Sequence, residues 1–256
     1  MRLTLRAVAL AYLAALLVVP VGMVVYRAFE KGIGPAWGAV TTPPAQHAFY
    51  LTVTIALIAV PLNAVFGVLT AWVLARYEFR GKRILDVLID LPFAVSPVVV
   101  GLALILVWGR DGWFGSTEVI FSTPGMILAT IFVSLPFVVR EVLPVLEEEG
   151  IDSEQAASTL GARGWQVFWR ITLPTIRWGL TYGVILSTAR AIGEFGAVAV
   201  VSGKVQGRTE TLTLYVEDRF QSLDLTGAYA AGVVLALLGV TVLALMTLLQ
   251  RRHERI

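Results

Sequence analysis

Six long apolar stretches limit the folds that this chain can adopt. A helix needs about 20 mostly apolar residues to cross the ~30 Å hydrocarbon core of a bilayer. Hydrophobic residues make up 57% of the 256 residues and charged residues only 15%, against about 45–50% and about 25% in soluble domains. The sequence therefore predicts an all-helical integral membrane protein with a single transmembrane domain over residues 1–256. We expect its six spans at residues 7–27, 49–75, 84–108, 125–146, 178–202 and 228–249.

The basic residues outside these spans are divided unequally between the two sides of the membrane. Twelve lie in one set of connections: Arg2, Arg6, Arg76, Arg80, Lys82, Arg83, Arg163, Arg170, Arg177, Arg251, Arg252 and Arg255. Six lie in the opposite set: Arg27, Lys31, Arg110, Lys204, Arg208 and Arg219. Short loops that are rich in Lys and Arg stay in the cytoplasm. The bias predicts that both termini, and the connection between the fourth and fifth spans, are cytoplasmic.

The residue types that most catalytic and metal sites require are scarce. The chain has no cysteine and only two histidines, His47 and His253, which lie outside the predicted spans. A phosphate-binding P-loop reads G-x-x-x-x-G-K-[ST], but Gly81-Lys82 and Gly203-Lys204 are each followed by a residue other than Ser or Thr. No run of Lys and Arg indicates nucleic acid. We expect no catalytic site, no metal site and no cofactor in this chain, and membrane lipid around it.

One polar segment interrupts the apolar sequence between the fourth and fifth spans. We define the cassette as residues 150–175, which contain EQAASTLGARGWQVFWRITLP. Its pattern predicts a helix from about Ser153 to Leu160, a left-handed residue at Gly161, and a second short helix from about Arg163 that ends at Thr172. Two interpretations are open. The cassette is either an amphipathic connector with its tryptophans at the level of the lipid headgroups, or a docking element for a cytoplasmic partner.

The cassette resembles the EAA motif of permease subunits of ATP-binding cassette (ABC) importers, which is Glu-Ala-Ala, three residues, Gly, and then Ile-x-Leu-Pro. The matching residues are Gln155-Ala156-Ala157, Gly161 and Ile171-Thr172-Leu173-Pro174, with Gln155 where the motif has Glu and with Glu154 beside it. The resemblance implies a coupling helix in a groove of a separate ATPase subunit, which binds ATP and Mg²⁺. The expected coupling residues are Glu154, Gln155, Ala156, Ala157, Leu160, Gly161, Trp165, Phe168, Leu173 and Pro174. Among them Leu160 and Phe168 are the expected apolar anchors.

The fifth span contains two charged residues one helical turn apart, Arg190 and Glu194. An ionised side chain in the middle of a span costs about 2.5–3.5 kcal/mol on insertion scales, so these residues should face protein or a wet pathway. In one interpretation they form a buried ion pair that only fixes helix packing. In the other, Arg190 lines an anion route together with Ser187 and Thr188, since a guanidinium binds tetrahedral oxyanions through two hydrogen bonds.

The third span contains two prolines, Pro92 and Pro97, within DLPFAVSPVVVG. Proline removes a helical hydrogen bond, and Ser96 could bond a freed carbonyl. Ser96 and Pro97 therefore belong either to a flexible gate on the substrate pathway or to a kinked packing helix.

The stretches LPFAVSPVVVGL, GWQVFWRITLP, ARAIGEFGAVAVVSG and RTETLTLYVEDRFQ look like the CysW-type permease of bacterial sulfate/thiosulfate importers. This resemblance implies a type I ABC importer (MetI-like) permease fold in the bacterial plasma (inner) membrane. It also implies a heterodimer with a CysT/CysU-like permease, a CysA-like ATPase dimer and an extracytoplasmic sulfate-binding protein. Molybdate and tungstate permeases share the GEFGA-like stretch, so these oxyanions are alternative substrates.

Two other classes of protein remain as alternatives. An ion-gradient-driven secondary transporter should contain paired half-helices and unpaired acids inside the membrane, and Asp90 and Glu141 are the candidates for such acids. A membrane enzyme or assembly scaffold is disfavoured, because the spans contain neither Cys nor His.

Overall fold

The computed structural model describes residues 2–115 and 119–253, so Arg255 and part of the 109–124 connection lie outside the described residues. All regular elements in the described part of the chain are helices. In chain order they are α1 (Arg2–Leu13), α2 (Val19–Phe29), α3 (Ile33–Val40), α4 (Pro43–Arg76), α5 (Lys82–Ala94), α6 (Pro97–Trp108), α7 (Thr123–Glu149), α8 (Asp152–Thr159), α9 (Gly164–Val167), α10 (Leu173–Ile192), α11 (Gly196–Val201), α12 (Leu212–Gln221) and α13 (Leu225–His253). Two π-helical turns, Ala14–Val18 and Phe168–Thr172, join α1 to α2 and α9 to α10.

Four helical segments among the described residues are long and apolar enough to cross a membrane. They are Leu10–Phe29, Pro43–Arg76, Thr123–Glu149 and Leu225–Leu245, and they correspond to the first, second, fourth and sixth predicted spans. The predicted third span, 84–108, is two helices, α5 and α6, bent by 118° at the break between them. If this pair is counted as one span, the described residues contain five spans.

The predicted fifth span, 178–202, is wrong as a single helix. Helix α10 begins earlier, at Leu173, and ends at Ile192, and α11 begins only at Gly196. The carboxylate of Glu194 lies at this break, and its Oε1 accepts a hydrogen bond of 2.9 Å from the N–H of Ala197. A side-chain oxygen that accepts from a free N–H in the first turn stabilises the start of a helix, so Glu194 stabilises α11 after the break at residues 193–195.

The predicted end of the second cassette helix is also wrong. The helical backbone does not end at Thr172 but runs from α9 through the π turn Phe168–Thr172 into α10. Pro174 lies in the first turn of α10, where the missing N–H of proline is tolerated. The wider π turn directly precedes it, and such turns are typical of places where the regular hydrogen-bond ladder is interrupted.

The chain divides into two compact units, Met1–Leu51 with Lys204–Val240 and Thr52–Gly203 with Thr241–Ile256. The core of the second unit is formed by α4, α5, α7 and α10, through Val68, Ala71, Leu74, Ile89, Val138, Val139, Val142, Leu143, Leu146 and Ile176. Two glycines of α10 bring its backbone against α7. A Cβ at Gly179 would lie 2.5 Å from the carbonyl oxygen of Glu141, and one at Gly183 would lie 2.8 Å from Cα of Val138. This is the small-xxx-small spacing through which membrane helices pack closely.

The first unit has a smaller core of alanines and two larger side chains, namely Ala45, Ala48, Leu212, Tyr215 and Ala231. The Tyr215 hydroxyl lies 3.3 Å from Oγ1 of Thr42. Lys204 and Glu217 form an ion pair of 2.6 Å. The connection between the fifth and sixth predicted spans therefore contains a packed helix, α12.

Glu210 is a buried acid of the first unit, outside the apolar spans, with 3% of its surface exposed. Burial raises the pKa of its carboxyl from the ordinary 4.5 to about 7, the nearby charge of Asp218 adds to the increase, and Arg219 opposes it. The folded protein therefore binds a proton more tightly than the unfolded chain between pH 4.5 and about pH 7. Glu210 thus contributes stability below this window that is lost as the pH rises through it.

We expect the melting temperature of the detergent-purified protein to decrease as the pH is raised from 5 to 8. The Glu210→Gln variant should lose part of this pH dependence. Glutamine has no proton to release, so the linkage described above is removed. Thermal unfolding at a series of pH values measures the effect. Glu30→Gln, a change at an exposed acid, is the matched control. A Glu210→Gln curve parallel to the wild-type curve would contradict the assignment.

Candidate functional site

The cassette forms a bent pair of helices, α8 and α9, with Gly161 at the bend. Gly161 has φ of +87°, a conformation that glycine adopts without the cost that other residues incur. Its N–H donates to the carbonyl of Ser158 at 3.0 Å, and the N–H of Ala162 donates to Ala157 at 3.0 Å. The N–H of Arg163 then donates to Oε1 of Gln166 at 2.8 Å and opens α9. The predicted helix, left-handed glycine and second helix start are confirmed.

The outer surface of the cassette carries exposed apolar side chains. Leu160 is 89% exposed, Trp165 is 65% exposed and Trp169 is 60% exposed. The remaining expected coupling residues on this surface are Gln155, Ala156, Gly161 and Pro174, all exposed, and Ala157, half-buried. Large apolar side chains on a polar segment are typical of a surface that another protein covers.

Phe168 and Leu173, two of the expected coupling residues, instead face the helix bundle. Both pack against the core of the second unit, and the Phe168 ring meets the Trp72 ring edge-on, with centroids 6.3 Å apart. Phe168 is therefore not available as a docking anchor. The sequence indicated Phe168 as an apolar anchor but did not show that its ring faces α4 and α7.

Glu154 lies in the first turn of α8 and is turned inward. Its two carboxylate oxygens each accept a hydrogen bond of 3.1 Å from Arg76, at the end of α4. Oε1 also accepts a hydrogen bond of 2.9 Å from Thr172. A third donor of Arg76, Nη1, binds the carbonyl of Leu146 at 2.8 Å. Arg76 was noted in the sequence only as a basic residue near a span, because its partner lies 78 residues away.

The break between α10 and α11 lies beside the start of α6. A Cβ at Gly196 would lie 2.9 Å from Cβ of Pro97, and one at Gly101 would lie 2.9 Å from the carbonyl oxygen of Ala197. Pro97 is the first residue of α6, and Ser96, which is exposed, is its N-cap residue. Ser96 makes no capping bond with its side chain. The structure thus brings together the two interrupted helices that contain the expected pathway residues.

Arg190 and Glu194 form an ion pair of 2.6 Å at this break. The carboxylate is almost fully buried, with 1% of the side chain exposed, whereas 29% of the Arg190 side chain is exposed. The pair predicted from the four-residue spacing is present. The Arg190 side chain is therefore partly accessible, whereas the Glu194 carboxylate is not.

Ser187, another expected pathway residue, is fully buried within the second unit. Its Oγ accepts a hydrogen bond of 3.3 Å from Nδ2 of Asn63, which also donates to Oγ of Ser134 at 2.7 Å. These three residues connect α4, α7 and α10 by polar contacts in an otherwise apolar bundle. Ser187 is thus a packing residue in this chain, and Asn63 was missed because a lone Asn in an apolar run carries no spacing signal.

Asp90, a candidate for an unpaired acid of a secondary transporter, is paired. Arg140 on α7 donates to both of its carboxylate oxygens, at 2.7 and 2.6 Å, and also contacts Asp86 at 2.8 Å. Asp90 is therefore not an unpaired acid inside the membrane, and it does not support the alternative of a secondary transporter.

Comparisons with known proteins agree with this arrangement. The family model "Binding-protein-dependent transport system inner membrane component" matches residues 63–255. A sulfate transport system permease protein CysW from Synechocystis sp. is 54% identical over 254 residues, covering 97% of this chain and 92% of the relative. A sulfate transport system permease protein CysT from Synechococcus elongatus is 38% identical over 250 residues, covering 95% and 90%.

A solved structure has the same fold at low identity. It is the crystal structure of a bacterial alginate ABC transporter in complex with alginate pentasaccharide-bound periplasmic protein, and one of its chains has a TM-score of 0.80 and 16% identity, covering 97% of this chain and 93% of that chain. The family match takes in both the cassette and the two interrupted helices. This chain is therefore a multi-pass membrane protein that belongs to the family of binding-protein-dependent transport system inner membrane components.

Proposed function

We propose that this chain is the permease subunit of an ATP-driven importer of sulfate and thiosulfate, and that it forms one half of the pathway through the membrane. The 54% identity to a CysW protein over 97% of the chain carries the proposal, since identity to a CysT protein over a similar length is only 38%. The chain performs no bond chemistry of its own. ATP and Mg²⁺ bind to the partner ATPase subunits.

The proposed architecture is the type I (MetI-like) importer fold with six spans. The bent pair α5–α6 and the interrupted pair α10–α11 supply the third and fifth spans. Non-helical backbone at membrane depth is tolerated where it is buried in protein or lines a wet cavity, and both breaks meet at Pro97 and Gly196. With this order of spans, both termini and the cassette would lie on the same side of the membrane, the side with twelve basic residues. We propose that this side is the cytoplasm and that the membrane is the plasma membrane of a bacterium.

In the proposed complex this chain has four partners: an ATPase dimer, membrane lipid, a second permease and a binding protein. Leu160, Trp165 and Trp169 of the cassette enter a groove of a CysA-like ATPase dimer. The segment Leu10–Phe29, in which Ala28 is the one buried residue, contacts lipid and a CysT/CysU-like permease. An extracytoplasmic sulfate-binding protein delivers the anion. ATP binding closes the ATPase dimer and carries the cassettes inward, so that the permease pair opens outward; hydrolysis resets it.

Arg190 is the proposed anion contact on this pathway. The buried Glu194 carboxylate orients the guanidinium by its 2.6 Å contact, and 29% of the Arg190 side chain remains exposed. A guanidinium presents several N–H groups in one plane and fits tetrahedral oxyanions. The orienting acid and the anion-binding role are therefore compatible in one ion pair.

We expect Arg190→Gln to reduce sulfate uptake by the reconstituted complex about ten- to a hundredfold, because a hydrogen bond to a charged group contributes about 1.5–3 kcal/mol. Uptake of radiolabelled sulfate into proteoliposomes measures the change. Arg177→Gln, at an exposed position on the same helix, is the matched control and should transport normally.

The single variant also removes the positive charge that compensates the buried Glu194 carboxylate, which destabilises the protein in its own right. The double variant Arg190→Gln/Glu194→Gln removes both charges and separates the two effects. Uptake stays low in the double variant if Arg190 contacts the anion. Recovery of uptake would show that the pair only fixes helix packing.

Competition distinguishes sulfate from the alternative oxyanions. We expect unlabelled sulfate and thiosulfate to suppress radiolabelled sulfate uptake at lower concentrations than molybdate or tungstate does. A complex in which molybdate or tungstate competes more strongly than sulfate would reassign the substrate to these larger oxyanions.

A further inference from the structure

Helix α8 has unusually little to hold it in place. None of its eight residues is buried, so it has no hydrophobic anchor in the core. It is preceded by Gly150, with φ of +70°, and followed at the bend by Gly161, with φ of +87°. Glycine has access to a wider range of backbone conformations than any other residue. A helix between two such residues could tilt without moving the rest of the bundle.

A buried ion pair fastens α8 at its first turn. Glu154 accepts two hydrogen bonds from Arg76 and one from Thr172, and only 9% of the Arg76 side chain and 17% of the Glu154 side chain are exposed. Thr172 itself is 2% exposed. Arg76 in turn donates to the carbonyl of Leu146. One carboxylate thus connects α8 with the end of α4, with α7 and with the turn that leads into α10.

The arrangement differs from an acid that docks an ATPase. A carboxylate with three donors inside its own chain has little remaining capacity for a partner protein, and its neighbour in the motif position is the uncharged Gln155. Arg76 binds through a planar fork that reaches both oxygens of the acid, a geometry that lysine cannot reproduce.

We infer that Arg76, Glu154 and Thr172 are positioning residues that make the cassette rigid, so that a push on Leu160 moves the spans instead of tilting α8 between its two glycines. The inference rests on the proposed function, because it assigns a route by which the ATPase acts on this chain. Arg76 and Glu154 do not touch the transported anion or the ATPase.

The first test does not depend on the substrate. The chain has no cysteine, so spin labels can be attached selectively at Glu148→Cys on α7 and Thr159→Cys on α8 in the full chain purified in detergent. We expect a narrow distribution of label–label distances in the wild-type background and a clearly broader one after Arg76→Gln or Glu154→Gln. Glu78→Gln, which removes an exposed pair with Lys82, should leave the distribution narrow. A narrow distribution in both Arg76→Gln and Glu154→Gln would overturn the inference.

The second test measures sulfate transported per ATP hydrolysed. We expect this ratio to fall about tenfold in Arg76→Gln and Glu154→Gln, within the range of coupling between two sites, while the ATPase subunits still co-purify. Arg76→Lys and Thr172→Val, which remove only part of the network and preserve folding better, should give smaller decreases. An unchanged ratio in all four variants overturns the inference. Loss of the ATPase from the Glu154→Gln complex alone also overturns it, because Glu154 would then be a docking residue. Absence of sulfate transport by the wild-type complex would instead contradict the proposed function, and the distance measurement would still decide on the positioning role.

Discussion

Leu160→Asp is expected to remove the ATPase subunits from the purified complex and to abolish sulfate uptake. Leu160 is 89% exposed and follows α8 directly, so the substitution leaves the core of this chain intact. In the complex, however, the carboxylate would be buried in an apolar groove without a partner. Burial of an unpaired charge costs several kcal/mol, and each 1.4 kcal/mol corresponds to a tenfold loss of affinity. Co-purification of the ATPase with a tagged permease measures the effect.

The matched control is Leu223→Asp, a change at another highly exposed leucine, 83% exposed, in the segment before α13. It adds the same charge at a position that we do not place at the ATPase, and we expect normal assembly and uptake. If the Leu160→Asp permease still retains the ATPase, the result would contradict the docking role and favour the other interpretation, an amphipathic connector on the lipid surface.

Gly183→Leu is expected to destabilise the folded permease. A side chain at this position would begin 2.8 Å from Cα of Val138 and 3.2 Å from the carbonyl oxygen of Phe137. Both are backbone atoms, so a rotamer change cannot relieve the clash and α10 must move away from α7. Overpacking of this kind costs about 1–3 kcal/mol, which corresponds to a decrease in melting temperature of about 2–12 °C for a domain of this size.

The control is Gly239→Leu, on helix α13, where nothing lies within 4 Å of the added Cβ. Melting temperature in detergent and yield from membranes are the measurements. Equal behaviour of the two leucine variants would show that α7 and α10 do not pack through Gly183.

Hydrophobic pattern predicted the long helices because a span is defined by a property that can be counted along the chain. Four of the six predicted spans correspond to helices that differ from the prediction only at their ends. Counting failed at residues 193–195, where the helix is interrupted and the Glu194 carboxylate accepts a hydrogen bond from the N–H of Ala197 in the first turn of α11. The apolar residues on both sides of the break are indistinguishable from those of a continuous span.

The candidate sites show the same division between local and long-range information. The bend at Gly161 and the Arg190–Glu194 pair were predicted, since both depend on residues within a few positions of each other. The contacts of Phe168 with Trp72 and of Glu154 with Arg76 join residues far apart in the chain. Sequence pattern can indicate that such side chains are apolar or charged, but only the packing of α4, α7 and the cassette determines their partners.

ATP-dependent uptake of radiolabelled sulfate by the complete complex in proteoliposomes tests the proposed function most directly. The complex contains this chain, its permease partner, the ATPase dimer and the sulfate-binding protein. We predict accumulation of sulfate when ATP is present on the ATPase side, and none when the ATPase is omitted or its nucleotide cannot be hydrolysed. Sulfate accumulation that continues without the ATPase, driven by an ion gradient alone, would contradict the assignment of this chain as an ATP-coupled permease.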